Sequence, residues 1–360
     1  MNRESIQKWI IITAVALGII ISTGGLAYRH LFANQPTNHP SPVKTTTSQA
    51  SLTYSNNFYA KIKSSQPVNI LFLGEDNSRN QRFLDEFTKD LDVKFSSKSS
   101  VSMFTTLIGT SWSNLMALHR VQQTQQPDLV LLCSGANDEK TLSPEQYKAL
   151  FEATIQTLGQ KYPHAEIMLM QEPSLNAVTV EIHRKLARHY NLPLLALEDP
   201  NKPATAQDAP IEVIQEKLKT NATTAQIANK EPLWDIVKYQ NWQQLQTYTE
   251  IYDMEESQDA ANPHTLVGSK EGALVESIFN GRGIGVSVQC GPDGGVARVY
   301  LDGQKHNSIN TYSPEPGVQH ILLADNLEPG EHRIKVIVLG YGKHPSTGSK
   351  IVLEGFDVME

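Results

Sequence analysis

Three short clusters gather the side chains of this chain that could do chemistry. They are Gly74–Glu75–Asp76–Asn77–Ser78, Gly109–Thr110–Ser111 and Ser134–Gly135–Ala136–Asn137–Asp138. Glu75, Asp76 and Asp138 offer oxygen ligands of the kind that hard cations take. Acidic loop residues are more often simply solvated, and no metal or cofactor is expected. A carboxylate can also act as a covalent nucleophile, as can a serine hydroxyl beside a base. His264, with Asp259 five residues before it, is a candidate base. His119, His164, His183 and His189 lie among Arg, Lys and Gln and read as surface residues. Trp112, close behind Gly109, could line a pocket and stack on a sugar ring, or belong to a core. The two cysteines, Cys133 and Cys290, make neither a disulfide framework nor a C-x-x-C zinc pattern. Cys133 reads as a buried small hydrophobe.

Each cluster follows an apolar run, and the runs define the elements that must position them. Val68–Leu73 is continuously apolar, as a strand buried on both faces requires. A helix is predicted over Arg79–Leu91, a strand over Ser102–Ile108 and a helix over Ser113–Gln122. Asp128–Cys133 is the third strand. Ser143–Pro144–Glu145–Gln146 is a helix start, with an N-cap serine, a first-turn proline and a capping-box glutamine. Glu166–Met170 and Pro193–Leu197 are further strands around a helix over Glu181–Tyr190. Strands alternating with helices imply a parallel sheet in an α/β sandwich. Ligands of such sheets sit beyond the carboxyl ends of the strands, where the three clusters fall.

The rest of the chain differs in character. Trp9–Tyr28 is twenty residues without a charge, long enough as a helix to cross the ~30 Å bilayer core. Arg3 and Lys8 precede it, no A-x-A site closes it, and it reads as a single N-terminal signal anchor. Residues 1–8 are then cytoplasmic, and 29–57, rich in Pro, Ser and Thr, form a solvated spacer. The globular part is expected at the membrane on the extracytoplasmic side. It comprises an α/β domain over residues 58–245 and a second domain over 246–360. In the second, glycines become frequent and helical patterning stops. Gly283–Cys290 and Val296–Leu301 alternate as strands, and Gly291–Gly295 between them is a hairpin signal. Asp302–Gly303 is a further turn. Val318–Ala324, His332–Leu339 and Ile351–Val358 complete an all-β sandwich. Asp293 and Asp302 read as turn residues. The chain has 360 residues, enough for about two domains, and a net charge of −7. No basic face for nucleic acid is advertised.

The strand ILFLG, the glycine after the second strand and GAND after the third resemble the SGNH (GDSL-like) hydrolases, over about residues 58–230. The later phrases FNGRGI, VYLDG and LEPGEH resemble galactose-binding-like jelly rolls attached to carbohydrate esterases. The resemblance implies a flavodoxin-like α/β/α domain with a serine, a histidine and an aspartate for ester hydrolysis. It implies oxyanion donors at Gly109 and Asn137. Asp76 stands where the family has its serine, and Ser78 lies two residues later. The family's Asp-x-x-His block is unmatched, since residues 198–250 hold no histidine. Its weakly similar counterpart is the stretch around Asn221. The expected function is a carbohydrate O-acetyl esterase acting on envelope or extracellular polysaccharide. The alternative is an inactive scaffold that binds glycan or a partner protein. For a sugar-binding sandwich the available aromatics are Tyr300, Tyr312 and Tyr341.

Overall fold

The pattern of the apolar runs builds a layered sheet first. Strand β1 (Val68–Glu75) pairs in parallel with β2 (Ser99–Thr106) and β3 (Leu129–Cys133), and β4 (Glu166–Gln171) and β5 (Leu194–Ala196) follow. The computed structural model describes residues 57–75, 77–120, 126–197, 210–219, 227, 230–257 and 264–360. The sheet order is β2-β1-β3-β4-β5, the doubly wound order with its switch point between β1 and β3.

Successive strand residues point to opposite faces, and both faces are covered. Leu71, Leu73, Val130 and Leu132 pack with α3 (Ser111–Arg120), α4 (Pro144–Lys161) and α5 (Ala177–Tyr190) through Leu118, Phe151, Ile155 and Leu186. Ile70, Phe72, Leu131 and Cys133 pack on the other face with α1 (Asn57–Lys63), α2 (Ser78–Phe95) and α6 (Pro210–Lys219) through Phe58, Phe87, Leu91 and Ile214. The expected α/β/α sandwich is therefore present.

Element edges move for identifiable reasons. Helix α5 begins at Ala177 rather than Glu181, because Asn176 caps it by accepting from Val178 N and Thr179 N. Strand β2 begins at Ser99 rather than Ser102; it is an edge strand, which tolerates the polar Ser99 and Ser100. The capping box at Ser143 and Gln146 forms as read.

The remaining strands form the sandwich. One sheet runs in the order β13-β12-β15-β10-β7. Its strands are Gln304–Asn310 (β13), Val296–Leu301 (β12), Gly330–Val338 (β15), Leu274–Gly281 (β10) and Glu250–Tyr252 (β7). The other runs β14-β11-β16-β9-β8 through Gly317–Ala324, Gly283–Cys290, Ile351–Met359, Leu266–Gly268 and Glu255–Glu256. Strand β6 (Trp242–Leu245) also pairs with β16, and a short α7 (Val237–Gln240) precedes it.

The hairpin expected at Gly291–Gly295 does not form. Strand β11 pairs with β14 and β16, whereas β12 pairs with β13 and β15, so the turn crosses between sheets. A Cβ on Gly294 would stand 2.0 Å from Thr311 O, and one on Gly295 2.2 Å from Ser349 O. These glycines serve a close backbone crossing. The hairpin lies one strand later, where Asp302 and Gly303 take positive φ (51° and 75°) between β12 and β13.

All described residues except Ser257 belong to one compact unit. Trp112, Leu115 and Met116 of α3 join Leu150 and Ala153 of α4 and Tyr239, Leu322 and Met359 in one cluster. Trp112 is 1% exposed, and its indole lies against Gly285 of β11, so it is core and not a sugar platform. The expected anchor, the residues before it and the spacer up to residue 56 lie outside the described residues. Among the described residues, no helix is long and apolar enough to cross a membrane.

Candidate functional site

Strands β1 and β3 end at the switch point, and their following loops meet there. Glu75 closes β1. Its Oε2 accepts from Asn137 Nδ2 at 3.1 Å and from Asn77 Nδ2 at 3.3 Å. Asn80 Nδ2 donates to the Glu75 carbonyl at 2.9 Å, while Asn77 Oδ1 caps α2 by accepting from Asn80 N. Lys140 Nζ donates to Asn137 Oδ1 at 2.8 Å, so both ends of the Asn137 amide are engaged.

Gly109 is buried and lies against Glu75; a Cβ there would stand 2.4 Å from Glu75 N. No other residue fits that approach. Asp138 ties the two donor loops together. One carboxylate oxygen accepts from Ser111 N at 2.9 Å, the other from Gly135 N at 3.0 Å. Burial pushes its pKa up to about 7, against the opposing effect of those backbone donors. Glu172, just beyond β4, is buried and paired with Arg79 at 3.3 Å. Burial raises its pKa, which the Arg79 charge partly offsets.

The structure therefore brings Gly109 and Asn137 together around Glu75, with Glu172 and Arg79, at the carboxyl ends of the strands, the place of the ligand crevice in such sheets. Asp76 lies outside the described residues, as do Asp259 and the stretch around Asn221. Ser78 is the first residue of α2, directly after the Asn77 cap. His264 is exposed beside β9, and its carbonyl accepts from Tyr248 Oη at 3.3 Å. His264 thus belongs to the sandwich sheet that carries β9 and not to the loops that follow β1, β2 and β3.

Of the histidines read as surface residues, His183 is the exception. It is 0% exposed under the Gly135 loop, shares a 2.5 Å hydrogen bond with Tyr147 Oη, and leaves Nδ1 without a partner. Its pKa is driven down to about 3 by burial, so it is neutral. The sequence places it on an apolar face, next to Ile182 and three residues before Leu186, which was the signal for burial. Glu172 also had a signal: it follows the fourth apolar run as Glu75 follows the first. Cys133 is buried as expected, and burial raises its thiol.

A second grouping of triad residue types sits between α3 and the sandwich. Ser287 Oγ donates to Asp357 Oδ2 at 2.8 Å and shares a 2.6 Å hydrogen bond with His320 Nδ1. Here the serine stands between the histidine and the aspartate, so the histidine cannot relay its proton as in a hydrolase. Ser287 and Asp357 are 0% exposed and His320 7%, and Arg120 pairs with Asp357. This is a structural network. Among the described residues no group of three or more His, Cys, Asp or Glu could hold a metal ion.

No family model matches the chain, and no curated protein matches it. Among solved structures it is similar to a two-domain esterase (CEX) active on acetylated mannans, co-crystallised with mannopentaose. The TM-score is 0.60 at 17% identity, covering 84% of this chain and 93% of that one. A second crystal structure of a two-domain esterase active on acetylated mannans gives 0.57 at 16% with the same coverage. In fold, this chain is similar across both its parts to that two-domain esterase: a doubly wound α/β/α sandwich followed by an antiparallel β sandwich.

Proposed function

We propose that this protein engages cell-envelope or extracellular polysaccharide at the strand-end crevice without hydrolysing it by the serine route. The observation that carries the reading is the 3.1 Å bond from Asn137 Nδ2 to Glu75 Oε2. An oxyanion hole works by presenting unengaged donors to charge that develops in the transition state. Here a resident carboxylate already takes one of the two N–H donors of Asn137, and its charge repels an incoming oxyanion. The family serine position holds Asp76, and no histidine occurs over residues 198–250. The crevice still offers donors and acceptors suited to sugar hydroxyls and acetyl carbonyls. The uncharged run Trp9–Tyr28 supports an anchored protein with its globular part outside the cytoplasm.

The test uses the full chain in detergent with p-nitrophenyl acetate and, separately, acetylated mannan. The expected result is no turnover above buffer and saturable mannan binding that Asn137→Ala weakens. A second reading, an active O-acetyl esterase with Asp76 or Ser78 as nucleophile, is favoured by the shared fold over both parts. Turnover abolished by Asp76→Ala or Ser78→Ala would establish it and overturn the first.

A further inference from the structure

The sandwich carries its own polar groove, on the sheet that holds β12. Strand β12 buries Ala297 and Val299 in the core, and Arg298 and Tyr300 occupy the alternate, half-buried positions. The antiparallel register sets Tyr300 beside Lys305 of β13 and Lys335 of β15, and Lys335 beside Glu276 of β10. Glu276, Tyr300, Gly303, Arg333, Lys335 and Ile337 line one groove of about 280 Å³. That is the scale at which small-ligand pockets begin, ~300 Å³.

Glu276 is 3% exposed and is held from both sides, by Arg333 and by Lys335 at 2.7 Å. The hydrogen bond from Lys335 keeps its carboxyl below the usual range. A guanidinium has five donors and an ammonium three, and each spends one on Glu276. The Arg333 and Lys335 side chains are 56% and 34% exposed, so remaining donors face the groove mouth. Around it Arg298, Lys305, Arg333 and Lys335 outnumber Glu276, its register neighbour Glu250 and Asp302, which accepts from Arg333 N. This local excess of positive charge stands on a chain of net charge −7.

A neutral sugar would offer these cations hydroxyl acceptors but no counter-charge to offset their desolvation. A carboxylate-bearing ring would not: the fork of Arg333 matches a carboxylate in two contacts, and the Tyr300 ring offers an apolar platform. We propose that this groove binds a uronate residue of an anionic polysaccharide, with Arg333 and Lys335 on the carboxylate and Tyr300 against the sugar ring. The proposal rests on the reading of the protein as a glycan binder, and it names the chemistry of the glycan.

Isothermal titration calorimetry of the full chain tests it with three probes: oligomannuronate, neutral manno-oligosaccharide and a single-stranded oligodeoxynucleotide of equal charge. Oligomannuronate is expected to bind, and at least ~10-fold more weakly in 0.5 M salt than in 0.05 M, as screening of exposed charge requires. Tyr300→Ala, which leaves the Glu276 ion pairs intact, is expected to weaken it ~10-fold or more, the scale of a lost ring contact. Lys335→Gln is expected to do the same, and circular dichroism reports whether that variant is folded. Unchanged oligomannuronate affinity in Tyr300→Ala would overturn the proposal. So would equal oligodeoxynucleotide affinity indifferent to Tyr300→Ala, which would mean charge alone. Binding of the neutral oligosaccharide without oligomannuronate would overturn the uronate assignment and leave the glycan reading standing. Binding of neither sugar would overturn both.

Discussion

Asp138 shows how one carboxylate can couple two loops to the pH. Its folded pKa of about 7 lies above the ordinary ~3.9 of an unfolded Asp. Between about pH 4 and 7 the folded state holds a proton that the unfolded state releases. Stability from this group is therefore full at low pH and is lost as pH rises through 7. Asp138→Asn removes that slope. Urea titrations should show the wild type losing about 2–3 kcal/mol more than the variant between pH 5 and pH 8. Parallel curves would show that Asp138 does not titrate there. Gly109 makes the complementary point about backbone. Gly109→Ala places a Cβ 2.4 Å from Glu75 N, so the end of β1 must shift. We expect a loss of about 2 kcal/mol or more, read from the urea midpoint, and weaker mannan binding.

Elements with continuous apolar runs were legible from the sequence, because burial on both faces leaves no polar positions to confuse the period. Strand β1, a continuous run, begins where the residues say it does, as do the alternating β11 and β12, and the Ser143 capping box forms as read. Residues with two plausible partners were less legible. The Gly291–Gly295 turn carries hairpin composition, yet only the packing of Thr311 and Ser349 shows that it is a crossing between sheets. At the site, the positions of Gly109 and Asn137 could be read from strand ends. The engagement of Asn137 by Glu75 could not, since a glutamate beside an aspartate does not announce which way it folds back. Caps are the cheapest test at this scale. Asn176 accepts from two backbone N–H groups of α5. Asn176→Ala should cost about 1–2 kcal/mol in thermal or urea unfolding, and an unchanged midpoint would contradict that account.

For the whole molecule, the decisive feature is how firmly α3 and the sandwich share a core. Trp112 is buried against Gly285, and two polar clamps flank that contact. At one end Arg120 pairs with Glu354 and with the fully buried Asp357. At the other, Asp325 accepts from Gln146 at 2.7 Å, from Lys238 at 3.0 Å and from Tyr239. Burial raises the Asp325 carboxyl, but those hydrogen bonds outweigh it and hold it below its usual range. The chain should thus unfold in one calorimetric transition. Trp112→Ala should cost about 3–5 kcal/mol and split it into two. A single transition of undiminished stability would rule out a shared core. Arg120→Ala should cost about 3–5 kcal/mol in urea unfolding, because the buried Asp357 carboxyl loses its ion-pair partner.

Strand β16 comes last of the sixteen strands among the described residues, yet it lies inside its sheet, between β11 and β9, and also pairs with β6. During synthesis the α/β sheet has every strand it needs once Ala196 has emerged, while the sandwich waits for residues 351–359 to clear the exit tunnel. Until then Val286, Val288 and Phe279 have no completed core, and the edges of β11 and β9 stand open to any passing strand. The order of strands along the chain therefore leaves the sandwich unprotected until residues 351–359 have been made. Its nascent form, more than its folded one, is the form whose strand edges are open to wrong partners.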